Sequence, residues 1–246
     1  LTSGRPVFVP ETVNSLLNEV PEPTTIEALE GTEFVEHPLG ELRSYAPINP
    51  TEGYVMGVDV GSGIKGARKP NGDHENDPSV IQVLDQKKNL VATWRGYVEP
   101  DYLADVLYHL GAKYNWAEIA VENNNHGGTT VAFLAKVLNY PYVYQTVQHD
   151  KTTDKETIIL GFSTNVKTKP LIINKLRASV RDNEIQINDE KTLREMLTFI
   201  ETESGKMEAE PGNHDDTVMA LAIANHIHEG ISEPIAVPET AYVEGY

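Results

Sequence analysis

The stretch YVMGVDVGSGIKG, residues 54–66, reads as a β-strand running into a glycine-rich turn, and it sets Asp59 among apolar neighbours. SVIQVLD (79–85) and LVATWRGY (90–97) are two further short β-type runs, divided by polar breaks. The connection from Gly61 to Pro78 is long for a hairpin and reads as a projecting loop. EPDYLADVLYHLGAKY (99–114) then places Leu103, Val106, Leu107 and Leu110 at helical spacing behind an acidic start. AEIAVEN (117–123) is a fourth strand, GGTTVAFLAKVLNY (127–140) a second helix and YVYQTV (142–147) a fifth strand. A loop leads to a helix expected from Lys169 to Asp182, with Pro170 in its first turn. A turn at Asn183, a helix capped by Asp189 and a last helix expected to begin at His214 complete the pattern. Three consecutive strands followed by alternating helices and strands predict an α/β fold. Its sheet is mixed, an antiparallel three-strand meander plus parallel strands, with helices on both faces.

The chain has 246 residues and no cysteine, which excludes a disulfide framework and a thiolate zinc site. No apolar run approaches the roughly 20 residues that span a bilayer, and no signal peptide is visible, so an intracellular protein without membrane contact is expected. The chain begins at Leu1 rather than Met, which reads as a piece of something longer. Residues 1–50, rich in Pro, Glu and Thr, read as an acidic linker with a short helix near Glu11–Glu19. Residues 51–230 carry the domain pattern, and 231–246 read as an acidic tail.

The net charge of -17 is unevenly spread. Residues 1–50 carry net -6 and residues 229–246 net -4, whereas 151–181 hold seven bases against two acids. Those bases include Lys151, Lys167, Lys169, Lys175 and Arg177. Scattered lysines usually mark a solvated face. Their contrast with the acidic background favours a contact with nucleic acid, because the local field governs a ligand that touches one face.

A lone buried carboxylate such as Asp59 is costly unless a cation or hydrogen bonds offset it. Glu122 closes the fourth strand, and Asp215 and Asp216 open an apolar helix, so acids that end strands and begin a helix can meet at one side of a sheet. Such a cluster raises its own pKa values through repulsion, which divalent ions relieve, and oxygen ligands suit Mg²⁺ or Mn²⁺. Two ions about 3.5–4 Å apart can activate water and stabilise the leaving oxygen in phosphodiester cleavage. Taken singly, each feature has a plainer meaning: a strand ending in a glycine turn, a strand cap at Glu122, acids matched to a helix dipole. His126 alone reads as a polar loop residue, and His214 equally as that or as a ligand or neighbour of the acids. What sets the helix acids apart is the run Val218–Ala224 that follows. A helix apolar nearly all round is buried.

The ordered set GVDVGSG (57–63), AVENNNHGG (120–128), GFSTNVKTKPLIINKLR (161–177), LREMLTFI (193–200) and EPGNHDDTVMALAIA (210–224) resembles the C-terminal nuclease domain of the large terminase subunit of tailed bacteriophages. The resemblance covers roughly residues 53–228. It implies a ribonuclease H-like fold and a metal-dependent endonuclease that cuts double-stranded viral DNA concatemers during genome packaging, with two ions, Mg²⁺ or Mn²⁺. It implies catalytic and metal-binding roles for Asp59, Glu122, Asp215 and Asp216, with Asp59 bridging the ions and His214 a polar neighbour. Lys167 and Lys169 lie in a stretch that resembles a loop near the family's site, where they would touch phosphates. Implied partners are double-stranded DNA, the N-terminal ATPase domain of the same protein, the portal and the small terminase subunit, in the host cell cytoplasm. No G-x-x-x-x-G-K-[ST] motif is present, so the motor half is not expected in this chain. Two rivals are a non-catalytic module docking DNA or portal, and a phosphoryl-transfer domain, because GVDVGSG also resembles the first phosphate loop of the actin and sugar-kinase superfamily.

Overall fold

The computed structural model describes residues 4–63, 77–124, 126–150 and 155–231. In chain order its elements are β1 (Arg5–Pro6), α1 (Pro10–Glu19), β2 (Thr25–Glu30), β3 (Glu33–Glu36), β4 (Leu42–Ser44), β5 (Val55–Asp59), β6 (Ser79–Leu84) and β7 (Leu90–Gly96). Then come α2 (Pro100–Lys113), β8 (Glu118–Val121), α3 (Gly127–Ala132) with a π-helical turn over Phe133–Val137, β9 (Gln145–Asp150) and β10 (Lys155–Leu160). The chain continues through α4 (Thr168–Arg181), α5 (Glu190–Leu197), β11 (Phe199–Glu201), β12 (Met207–Ala209) and α6 (Asp216–Ile227).

Seven strands form one mixed sheet in the order β3-β2-β4-β7-β6-β5-β8. Strands β5, β6 and β7 are the expected antiparallel meander, and β8 lies parallel to β5. The parallel part continues as single bridges from Ile119 to Val143 and from Glu122 to Phe162. Side chains alternate between the two faces of a strand. Met56 and Val58 of β5 meet Leu103, Val106, Leu107 and Leu110 of α2 on one face. Val55 faces the other way, into a core with α4, α5 and α6. Gly57 and Asp59 share the parity of Val55. Gly57 is required there, because a Cβ would sit 2.1 Å from the Ala220 carbonyl oxygen of α6. Backbone therefore packs on backbone, which explains the alanines of α6.

The ends of the helices follow from their sequences. α2 starts at Pro100, with Asp101 in its first turn and Lys113 in its last, which suits its dipole. Asp189 caps α5 by accepting from the Thr192 N–H at 2.7 Å, as expected.

Four expectations change. Residues 25–44, read as linker, supply β2, β3 and β4 to the main sheet, whereas the short helix expected nearby is α1. Leu42 is fully buried, and Glu27 is tied to Lys113 of α2 by a 2.9 Å ion pair. The fifth strand makes only the Val143 bridge before its regular part starts at Gln145. The loop expected after it contains β10, which pairs antiparallel with β9 as a separate hairpin. The last helix begins at Asp216, with Asp215 as its N-cap, two residues beyond His214. Most of the long connection after Gly61 lies outside the described residues, as does Lys151. No helix among the described residues is long and apolar enough to cross a membrane.

Candidate metal centre

Parallel strands end on the same edge of a sheet. Asp59 is the last residue of β5, and Glu122 follows β8, its N–H donating to the Val58 carbonyl at 2.9 Å. Their carboxylates leave the sheet side by side. From the contact at Gly57 and Ala220, two residues along the strand reach Asp59 and about one helical turn back reaches Asp216. The close approach at Gly57 thus carries the start of α6 to the same edge. All four acids line one cleft of about 510 Å³, shared with Asp77, Asn124, His126 and Lys169.

The acids are held differently. The Asn124 side-chain amide donates to Glu122 Oε1 at 3.0 Å and to the Thr164 carbonyl at 2.9 Å, which steadies Glu122 over the cleft. Asp215 Oδ2 lies 3.2 Å from Lys169 Nζ, and both side chains are 27% exposed. Asp216 is 10% exposed in its side chain, and its Oδ2 has no hydrogen-bond partner among the described residues. His214 Nδ1 is 3.0 Å from Asp77 Oδ1 and 3.6 Å from Asp216 Oδ2. One ligand atom from each of Asp77, His214 and Asp216 lies within 4.8 Å of the other two.

Electrostatics reflect the crowding. Burial first, then a side-chain hydrogen bond to Glu122 and the charges of Glu122, Asp216 and Asp215, push the Asp59 carboxyl well above the usual carboxylate range. Burial also pushes Asp216 up, to about 8, with Glu195, Asp77 and Asp215 adding repulsion and Arg95 opposing it. Such groups favour protons or metal ions over bare charge. An unpartnered buried carboxylate oxygen, with further carboxylates and one imidazole beside it, fits a hard or borderline divalent cation.

The basic candidates separate. Lys167 is exposed just before α4 and Lys169 lines the cleft. Lys175 is not near the acids' edge: its Nζ donates to the His226 carbonyl at 3.0 Å and pairs with Glu229 at 2.7 Å, at the far end of α6. Arg177 is exposed and borders a separate hollow with Val7 and Phe8. Asp77 was missed by sequence reasoning. A signal existed: β6 runs antiparallel to β5 with Val80 opposite Asp59, so a residue just before β6 falls at the same edge.

Fold and cleft together define a ribonuclease H-like α/β domain with a carboxylate-lined edge. The chain is similar to the large terminase nuclease of thermophilic phage G20c. Its magnesium-bound structure aligns over 87% of this chain and 96% of that one, at 20% identity and a TM-score of 0.59. The cobalt-bound structure aligns over 87% and 96%, at 21% identity and 0.57, and the zinc-bound one over 87% and 98%, at 19% and 0.54. The fold expected from the sequence resemblance is thus the observed one. No protein-family model and no curated protein matches the sequence.

Proposed function

We propose that this chain is a divalent-metal-dependent endodeoxyribonuclease that cuts double-stranded viral DNA during genome packaging. The observation that carries this reading is the meeting of Asp59, Glu122, Asp215 and Asp216 in one cleft, with the Asp59 and Asp216 carboxyls held well above their ordinary pKa. The likeness to nucleases solved with magnesium, cobalt and zinc supports it.

In this reading Asp59, Glu122, Asp215 and Asp216 would hold two ions, Mg²⁺ or Mn²⁺, with His214 and Asp77 alongside. Bound ions would polarise the phosphodiester and make water a competent nucleophile. The chain's own part is to fix the carboxylates. Asn124 keeps Glu122 turned to the cleft, and the α6 contact at Gly57 sets Asp215 and Asp216 against Asp59. Lys167, exposed at the start of α4, would meet a backbone phosphate. Phosphate contacts carry no base information directly, so little sequence preference is expected. In the packaging assembly, the ATPase half of the protein, portal and small terminase subunit are the proposed partners, in the host cytoplasm.

The phosphate-loop rival is weaker, since it needs free backbone N–H groups in GVDVGSG. The Gly61 N–H is taken by Ser79 Oγ at 3.1 Å. The deciding experiment is plasmid nicking with Mg²⁺, Mn²⁺ or chelator. Cleavage that needs a divalent ion is expected. Metal-independent DNA binding with no cleavage would mean a docking module instead.

A further inference from the structure

An aspartate at a helix N-cap ordinarily accepts from the N–H groups of the first turn. Asp215 occupies that position in α6, yet its side chain makes no capping bond, and its Oδ2 faces Lys169 instead. The N–H of Thr217 donates to Glu195 Oε2 at 2.9 Å, and the Thr217 hydroxyl donates to the same oxygen. Glu195 reaches across from α5 and is 3% exposed. Lys191 Nζ lies 3.6 Å from its other oxygen. Gln82 of β6 completes the tie, donating to Thr192 Oγ1 of α5 at 2.8 Å and to the Thr217 carbonyl at 3.3 Å.

Burying a carboxylate to do what the adjacent N-cap aspartate could do costs free energy. What the arrangement achieves is the release of Asp215. With its capping duty met from α5, the Asp215 carboxylate is turned to the cleft, and the same contact fixes the turn that carries Asp216. We propose that Glu195 is a positioning residue: it caps α6 from α5, so that the N-cap carboxylate is left for cation binding. This rests on reading the cleft as a metal centre, but the capping exchange can be tested apart from metal.

The first arm is a thermal cycle in chelator, with Asp215→Ala made in the wild-type, Glu195→Ala and Glu195→Gln backgrounds. In wild type, and beside Glu195→Gln, which keeps an acceptor oxygen, Asp215→Ala should leave the melting temperature unchanged or higher. Beside Glu195→Ala it should lower it, because Asp215 has become the cap. Equal shifts in the wild-type and Glu195→Ala backgrounds overturn the proposal. If Glu195→Ala does not fold, a lowered melting temperature for Asp215→Ala beside Glu195→Gln overturns it. The second arm is Mn²⁺ affinity by titration calorimetry. Glu195→Ala should weaken it by about 10–100-fold, the range for residues that orient metal ligands, and Glu195→Gln should stay near wild type. A folded Glu195→Ala protein with wild-type affinity, or Glu195→Gln as impaired as Glu195→Ala, also overturns it. Failure of the wild-type protein to bind Mn²⁺ overturns the metal-centre reading instead, and the thermal cycle still judges the cap.

Discussion

Asp59 and Glu122 end adjacent parallel strands, and the Glu122 N–H on the Val58 carbonyl fixes how far one carboxylate stands from the other. Their side chains share a hydrogen bond, and the Asp59 carboxyl is pushed far up by burial and by its acidic neighbours. A carboxyl held this far up favours a proton or a bound cation over bare charge.

Asp59→Asn should therefore reduce plasmid cleavage by roughly 10²-fold or more, since a metal's electrostatic share is several kcal/mol. In chelator the same variant should melt at or above the wild-type temperature, because one source of repulsion is gone. Nicking assays and melting curves on one preparation check both halves. An active variant sinks the mechanism, and a clear loss of stability would mean Asp59 has a structural partner.

Asp216 gives a pH dependence of defined sign. Its folded-state pKa, about 8, lies above the unfolded value near 4, so the folded protein binds the proton first. Above about pH 8 both states are ionised and the repulsion is fully felt. Stability is gained as pH falls from about 8 towards 4, and below that both states are protonated and the slope vanishes. Between about pH 9 and 7 the half-buried His226 and the buried His228, whose pKa values are lowered, remain neutral and do not interfere. Over that interval the metal-free melting temperature should rise as pH is lowered, and saturating Mg²⁺ or Asp216→Asn should flatten the trend. A metal-free melting temperature that falls from about pH 9 to 7 contradicts the cluster.

DNA contact should depend on Lys167 more simply than on Lys169. Lys167→Glu changes an exposed residue and should weaken binding, flatten its salt dependence by about 0.9 per phosphate contact, and spare the melting temperature. Lys169→Glu also sets a new carboxylate against Asp215, so it should weaken metal binding as well. Salt titrations of DNA binding, with Lys87→Glu and Lys88→Glu as controls, check this. A larger effect from the controls would place the DNA face elsewhere.

The meander, the parallel β8 and α6 were legible because local pattern and burial coincide there: VMGVD and SVIQVL are buried along almost their whole length. Strands β2–β4 were not. Their glutamates at 27, 30, 33 and 36 and the prolines around them look like a solvated linker, and what orders Glu27 is a lysine 86 residues away. Likewise β9 and β10 carry polar residues and leave Val147 and Ile158 exposed, so no buried face announces them. At the site, the four acids were legible as strand ends and a helix start. Asp77 was legible only through the antiparallel register that brings residues before β6 to the edge where Asp59 ends β5, and Glu195, within α5, gave no local sign of its partner.

The two helix acids should not be equivalent. Successive helical residues diverge by about 100°, and here the difference takes a specific form. Asp215, the N-cap, is partly exposed and already partnered by Lys169. Asp216 is nearly buried, its Oδ2 has no hydrogen-bond partner among the described residues, and its pKa, pushed up to about 8, reflects that burial and the acids beside it. Arg95 opposes the rise and His214 Nδ1 stands 3.6 Å from Asp216 Oδ2, but burial and the acids around it outweigh them, so a bound cation would do most to support the Asp216 charge. Asp216→Asn should nearly abolish cleavage at every metal concentration, because a ligand with no substitute is removed. Asp215→Asn should leave measurable cleavage that recovers as Mn²⁺ is raised, because a carboxylate half-neutralised by Lys169 contributes more to affinity than to geometry. Titrating both variants against Mn²⁺ on the same plasmid decides the order. If Asp215→Asn is the dead variant and Asp216→Asn the one rescued, the buried carboxyl is a protonated structural group and the ions sit nearer Lys169. If both remain near wild type throughout, the start of α6 takes no part in the chemistry.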